Sequence, residues 1–146
     1  LHTNGYSLAR KVLLEKYSVQ DFIPELNNTL GDELLKVHKS YLRLITTLKN
    51  SVDVKGLSHI TGGGIIGNTS RIIPKGLELL VHWGNWEMPA IFKLIQQTAN
   101  ISNEEMHKVF NCGIGLIAVI SKEDKIVTFQ AAHDVHEHPL MIGEVV

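Results

Sequence analysis

The run Thr61-Gly62-Gly63-Gly64 constrains this chain more than any other feature, because it stands where a strand gives way to a helix. Residues 54–60 alternate as in a half-buried strand, and residues 65–73 carry apolar side chains at spacings compatible with a short helix. Three successive glycines allow positive φ angles and let a ligand approach the main chain without meeting a Cβ. Such a turn either holds an anion such as phosphate on its N–H groups or only packs tightly.

The composition is that of an ordinary globular domain of 146 residues, with 44% hydrophobic and 20% charged residues. A formal net charge of −1 creates no basic field, so we expect no nucleic-acid partner. No apolar run approaches the roughly 18 residues that span a membrane. The single cysteine, Cys112, cannot form an internal disulfide, which favours a reducing compartment. We therefore expect a cytoplasmic protein without a membrane partner.

Helices and strands alternate along the chain without repeats or low-complexity linkers. The apolar spacing predicts helices at 6–17, 30–35, 41–48, 89–97, 103–109 and 123–133. It predicts strands at 56–61, 77–82, 113–120 and 140–145, with a loop over 18–28. This order indicates an α/β (α+β) fold in which helices pack over a layered sheet.

The segment His2-Thr3-Asn4-Gly5 places a titratable ring, a hydroxyl and an amide just before the first predicted helix. Thr3 or Asn4 could serve only as the N-cap of that helix. The same side chains could instead contact a ligand. Gly5 has a purpose under both interpretations, because it lets the chain turn into the helix.

Asn68 and Arg71 lie three residues apart on the helix predicted after the glycines, so they occupy adjacent positions on one face. Arg71 could reach a phosphate or a partner domain. It could also project into solvent, as most arginines do.

Three histidines near the end of the chain, His133, His136 and His138, could supply metal-binding nitrogens. Asp134 and Pro139 within the same segment are typical of an exposed connection between a helix and a strand. We therefore expect no metal site there.

Cys112 stands just ahead of an apolar strand and has no adjacent basic residue that would lower its pKa. We interpret it as a structural residue rather than a nucleophile. His59 and His82 are interpreted as side chains held within or beside the sheet. The pattern assigns no catalytic residue.

Four stretches stand in a fixed order along the chain: residues 2–8 with Arg10, residues 59–64 followed by Asn68, Arg71 and Pro74, residues 86–92 with 94–96, and residues 105–106 with 110–115. Together they resemble the AIR synthase family, the phosphoribosylformylglycinamidine cyclo-ligases of purine biosynthesis. The resemblance runs from the first residues to 142–144. Gly67 and Ser70 depart from it, since many AIR synthases carry an acidic residue and a proline there.

The resemblance implies a three-layer α/β/α domain with a mixed sheet. Residues 1–146 would be the C-terminal domain of a two-domain enzyme, which is homodimeric at full length. The N-terminal domain, absent here, would supply most of the acidic magnesium ligands and much of the ATP site. ATP and Mg²⁺ are therefore expected as cofactors of the full-length enzyme, and neither is expected to bind tightly to this domain alone.

The family's activity is the ATP-dependent closure of formylglycinamidine ribonucleotide to aminoimidazole ribonucleotide, with release of ADP and phosphate. The resemblance implies that substrate phosphate or the transferred phosphoryl group faces the two glycine-containing motifs and the helix residues Asn68 and Arg71. We expect no cyclo-ligase activity from the isolated chain. The alternatives are another ATP-dependent amide-activating enzyme of the same superfamily, or a non-catalytic ligand-binding domain that kept the fold.

Overall fold

The structure is a computed structural model that describes residues 1–2 and 5–146. These residues form seven α-helices: α1 (Tyr6–Leu14), α2 (Leu30–Leu34), α3 (Leu42–Ser51), α4 (Gly64–Thr69), α5 (Ala90–Ala99), α6 (Asn103–Val109) and α7 (Lys125–His133). They also form six short strands: β1 (Phe22–Ile23), β2 (Asn28–Thr29), β3 (Gly56–His59), β4 (Leu79–Val81), β5 (Leu116–Val119) and β6 (Gly143–Val145).

The predicted order of helices and strands is confirmed, and the chain is an α+β protein. The helix predicted over 65–73 begins at Gly64 and already ends at Thr69, so the prediction was too long at its C-terminal end. The short pair β1–β2 was not predicted, since its two-residue strands show no periodicity. No helix among the described residues is both long and apolar enough to cross a membrane.

The strands pair as three separate two-stranded sheets, each antiparallel. β3 pairs with β5 from Gly56↔Val119 to His59↔Leu116, and one further bond runs from the Ile60 N–H to the Gly115 carbonyl (2.9 Å). Residues 1–2 and 5–146 contain no parallel pair, so the mixed character of the sheet stays a prediction.

The main core lies between α1, α5 and α6. Leu13, Ile95 and Met106 are completely buried there. The apolar positions of α5 recur at intervals of three and four, which gives the helix one continuous apolar face. Ser102 caps α6 by accepting a hydrogen bond from the Glu105 N–H (3.2 Å). This core fixes α6, against which α4 packs.

Gly64, the last glycine of the triple run, lies directly against α6. Its φ angle is 63°, and a Cβ built on it would lie 1.7 Å from the His107 carbonyl oxygen. A side chain at this position would therefore collide with backbone that cannot move aside easily. Close packing is the reason for a glycine at this position.

We predict that Gly64→Ala destabilises the fold by at least about 2 kcal/mol, because the substitution adds a steric clash to a strained backbone conformation. Gly67→Ala is the matched control. Gly67 lies in the same helix, and a Cβ there meets nothing within 4 Å. Urea denaturation of both variants measures the difference, and equal free energies of unfolding would contradict the packing role of Gly64.

Candidate functional site

The fold brings the N-terminal segment beside the glycine run. The Nδ1 atom of His2 lies 3.3 Å from the Ile60 carbonyl oxygen. Both residues line a crevice of about 10 Å³, which is completed by Leu1, Thr61, Phe92, Val109, Phe110 and Asn111. A space of this size has room for about one water molecule, so the crevice by itself is not a ligand pocket.

Three imidazole rings gather at this crevice. The ring centroids of His2 and His38 are 4.1 Å apart, and His59 lies 5.3 Å from the first and 5.4 Å from the second. His59 is the last residue of β3, which agrees with its predicted position within or beside the sheet. His38 belongs to the connection between α2 and α3. Sequence reasoning missed His38 because that connection has no periodicity and matches no motif.

Tyr41 completes this cluster through its hydroxyl, which lies 3.0 Å from His2 Nε2. The arrangement depends on Gly115. A Cβ at Gly115 would lie 1.9 Å from the Tyr41 hydroxyl oxygen and 2.1 Å from His2 Cε1. A glycine just before β5 therefore leaves the space that both rings occupy.

Burial lowers the pKa of His2, and the neighbouring His38 and His59 act in the same direction, while the bond to the Ile60 carbonyl opposes them. Burial, together with the charge of Glu137, raises the pKa of Tyr41. The Tyr41 phenol therefore stays protonated and donates to His2 Nε2. It follows that the His2 Nδ1–H donates to the Ile60 carbonyl, which fixes the tautomer of a neutral ring.

The glycine loop presents its first two glycines to solvent. Gly62 and Gly63 are exposed, and within the described residues their N–H groups donate to no backbone carbonyl. Gly63 has a φ angle of 98° and caps α4. The loop therefore offers two backbone donors at an accessible surface.

The predicted site residue Asn68 points into the loop rather than away from it. Its side chain is buried, and its Nδ2 donates to the carbonyls of Gly62 (3.1 Å) and Gly64 (2.7 Å). The Thr61 hydroxyl lies 3.4 Å from its Oδ1. Asn68 thus turns the loop carbonyls inward, which leaves the loop N–H groups on the outside.

The other predicted site residues have different positions. Thr3 and Asn4 lie outside the described residues. Gly5 precedes α1 with a φ angle of 85°, and a Cβ there would lie 2.3 Å from Phe110 Cε1. Arg71 is exposed and lies beyond the C-terminal end of α4.

The interpretation of Cys112 as structural is confirmed. Its side chain is 2% exposed, and burial raises the pKa of the thiol to about 11. The Trp86 indole N–H donates to the Cys112 carbonyl (3.0 Å). A Cβ on Gly113 would lie 2.6 Å from Pro89 Cδ, so two stretches that carry the family resemblance pack directly on each other.

These features define an α+β domain with an accessible glycine loop beside a cluster of three imidazoles. The family model described as "AIR synthase related protein, C-terminal domain" matches residues 1–146. The chain belongs to this family, and the resemblance is confirmed.

The chain is similar to curated relatives along most or all of its length. It is 42% identical over 148 residues to the phosphoribosylformylglycinamidine cyclo-ligase of Caldanaerobacter subterraneus subsp. tengcongensis, covering 100% of this chain and 44% of that protein. The protein of that name from Thermoanaerobacter pseudethanolicus is 43% identical over 148 residues, with the same two coverages. The one from Thermodesulfovibrio yellowstonii is 48% identical over 126 residues, covering 85% and 37%. The chain thus spans less than half the length of these relatives.

We predict that Cys112 resists alkylation in the folded chain. At pH 8 a thiol with a pKa of about 11 is about 0.1% thiolate, and burial also blocks the reagent. Labelling with iodoacetamide should be at least 100-fold slower than in the urea-unfolded chain. Because the chain has one cysteine, the mass spectrum of the intact chain gives the extent of labelling at Cys112 directly. Similar rates in the two states would contradict the buried position.

Proposed function

We propose that this chain is the C-terminal domain of a phosphoribosylformylglycinamidine cyclo-ligase. The observation that carries the proposal is the family match over residues 1–146, joined by relatives of that name at 42–43% identity along the whole chain. The full-length enzyme would use ATP to close formylglycinamidine ribonucleotide to aminoimidazole ribonucleotide. It would release ADP and phosphate in the same reaction.

The reaction needs activation because an amide oxygen is a poor leaving group. Phosphorylation of the formyl amide oxygen makes an imidate, which the amidine nitrogen attacks to close the five-membered ring and release phosphate. Catalysis of this kind depends mainly on positioning and on stabilisation of developing charge. Positioning is what a rigid glycine loop on a packed scaffold could supply.

The glycine loop fits one part of this chemistry, the binding of a phosphate group. Gly62 and Gly63 are exposed, their N–H groups donate to no backbone carbonyl of the described residues, no Cβ obstructs the approach of oxygen atoms, and Asn68 holds the loop carbonyls away. Exposed Arg71 lies just beyond the C-terminal end of α4 and would add positive charge. We assign the substrate phosphate or the transferred phosphoryl group to this loop, with the segment from His2 to Gly5 beside it.

The crevice does not fit Mg²⁺. Magnesium prefers oxygen ligands, carboxylates above all, and the described residues that line the crevice include no Asp or Glu. No step that requires the metal is therefore assigned to this chain. The proposal places the magnesium and most of the ATP contacts on an N-terminal domain.

Three apolar side chains near the imidazole cluster support such a domain partner. Leu35, Val37 and Leu42 are 80%, 95% and 73% exposed, and they flank His38 on both sides. Exposed apolar patches of this kind mark interaction surfaces. We propose that the N-terminal domain covers this patch and closes the crevice, that the full-length enzyme is a homodimer, and that the complete domain forms the three-layer arrangement with a mixed sheet.

We predict that aminoimidazole ribonucleotide causes saturable amide shifts at residues 61–64 in the isotope-labelled chain, with ATP titrated in parallel. Gly63→Ala should raise the dissociation constant obtained from these shifts at least tenfold, because a methyl group would obstruct the exposed N–H groups of the loop. Gly76→Ala is the matched control, since Gly76 is also exposed and also has a positive φ angle of 90°. Unchanged amide resonances around the loop, or equal weakening by both variants, would contradict a phosphate site there.

Catalysis is tested by a chimera. The N-terminal part of the Caldanaerobacter subterraneus relative is joined to this chain, with the intact relative as the positive control. The proposal expects cyclo-ligase turnover from the chimera and none from the chain alone. A folded chimera that binds the ribonucleotide without turnover would favour a non-catalytic binding domain. Turnover by the isolated chain would contradict the proposal that catalysis requires the N-terminal domain.

A further inference from the structure

The three imidazoles at the crevice are arranged as ligands of a single ion. One ring nitrogen from each of His2, His38 and His59 lies within 4.8 Å of the other two. An ion at the centre of such a triangle would be at most about 2.8 Å from each nitrogen, and zinc–imidazole bonds measure about 2.0–2.1 Å. Movements of less than about 1 Å per ring would therefore produce a tridentate site.

The hydrogen bonds of His2 match those of a metal-binding histidine. Its Nδ1 faces the Ile60 carbonyl at 3.3 Å, and this contact orients the ring and leaves Nε2, which faces the Tyr41 hydroxyl at 3.0 Å, as the nitrogen for an ion. Metal-binding histidines almost always donate their second N–H to a carbonyl or carboxylate in this way. Gly115 keeps the space beside this ring free.

The side chain of His38 provides a second, independent observation that favours a ligand at this cluster. Its Nε2 atom is buried, yet it has no hydrogen-bond partner among the described residues. A buried polar atom without a partner is destabilising, so native structures rarely contain one without a reason. An ion held between the rings would remove this cost.

We propose that His2, His38 and His59 bind a divalent transition-metal ion of the Zn²⁺ class. The donor set consists of imidazoles alone, which suits Zn²⁺, Co²⁺ or Ni²⁺ and does not suit Mg²⁺ or Ca²⁺. His59 is exposed, so the ion can enter from solvent. Three protein ligands leave a fourth position open. The Tyr41 hydroxyl, 3.0 Å from His2 Nε2, must release that nitrogen and is then placed to contact a metal-bound water.

The site is tested on the chain of residues 1–146, prepared without a histidine tag and stripped with a chelator. Co²⁺ is titrated by visible absorption and Zn²⁺ by competition with a chromophoric chelator, with Mg²⁺ as the negative control. We expect one ion per chain. His38→Gln and His59→Gln should each weaken Zn²⁺ binding at least tenfold. His133→Gln is the matched control, since His133 pairs with His138 (centroids 5.9 Å apart) in the C-terminal histidine segment; it should leave the affinity unchanged.

The imidazole resonances of the unmutated chain provide a second readout that does not depend on how the variants fold. Zn²⁺ should shift the ring signals of His2, His38 and His59 together and leave those of His133 and His138 in place. Absence of saturable binding, shifts centred on His133 and His138, or an affinity unchanged in folded His38→Gln and His59→Gln would each overturn the proposal. The measurement uses no ribonucleotide, so its failure leaves the proposed function untouched.

Discussion

The antiparallel pairing of β3 with β5 is the interaction on which the rest of the site depends. It ends with the bond from the Ile60 N–H to the Gly115 carbonyl, so two residues far apart in the chain become neighbours. One of them offers its own carbonyl to His2, and the other leaves the space in which His2 and Tyr41 meet. A slip of one residue in this register would turn the strand's side chains to the opposite face and separate these contacts.

Much of the fold could be predicted because its helices are amphipathic and its breaks carry glycine or proline. The bounds of α6 were predicted to the residue, and the turn at the triple glycine was placed correctly. The partners of the strands could not be predicted, since pairing across the chain leaves no periodic trace. For the same reason His38 and Tyr41 went unnoticed: their chemistry depends on meeting His2, which only the tertiary fold brings about.

The three glycines of the run have different roles. Gly64 lacks a Cβ and so permits the close approach of the His107 carbonyl, which makes packing the role of this residue. Gly62 and Gly63 are exposed, and the φ angle of 98° at Gly63 is by itself a reason for a glycine there; ligand binding is the further role that we propose for both. The buried Asn68 amide donates hydrogen bonds to both Gly62 and Gly64, so it connects the exposed part of the loop to the packed part. The position of the loop is thus set by its contacts with the packed part of the domain.

The long separation of the paired strands has a consequence for how the chain folds. β3 meets β5, and β4 meets β6, across roughly 60 residues each, so neither pair can form until the later strand has been synthesised. The α1–α5–α6 core, by contrast, is complete once α6 has left the ribosome. The nascent chain therefore carries a helical core with unpaired strand edges for a time, and that interval is when it is most exposed to aggregation.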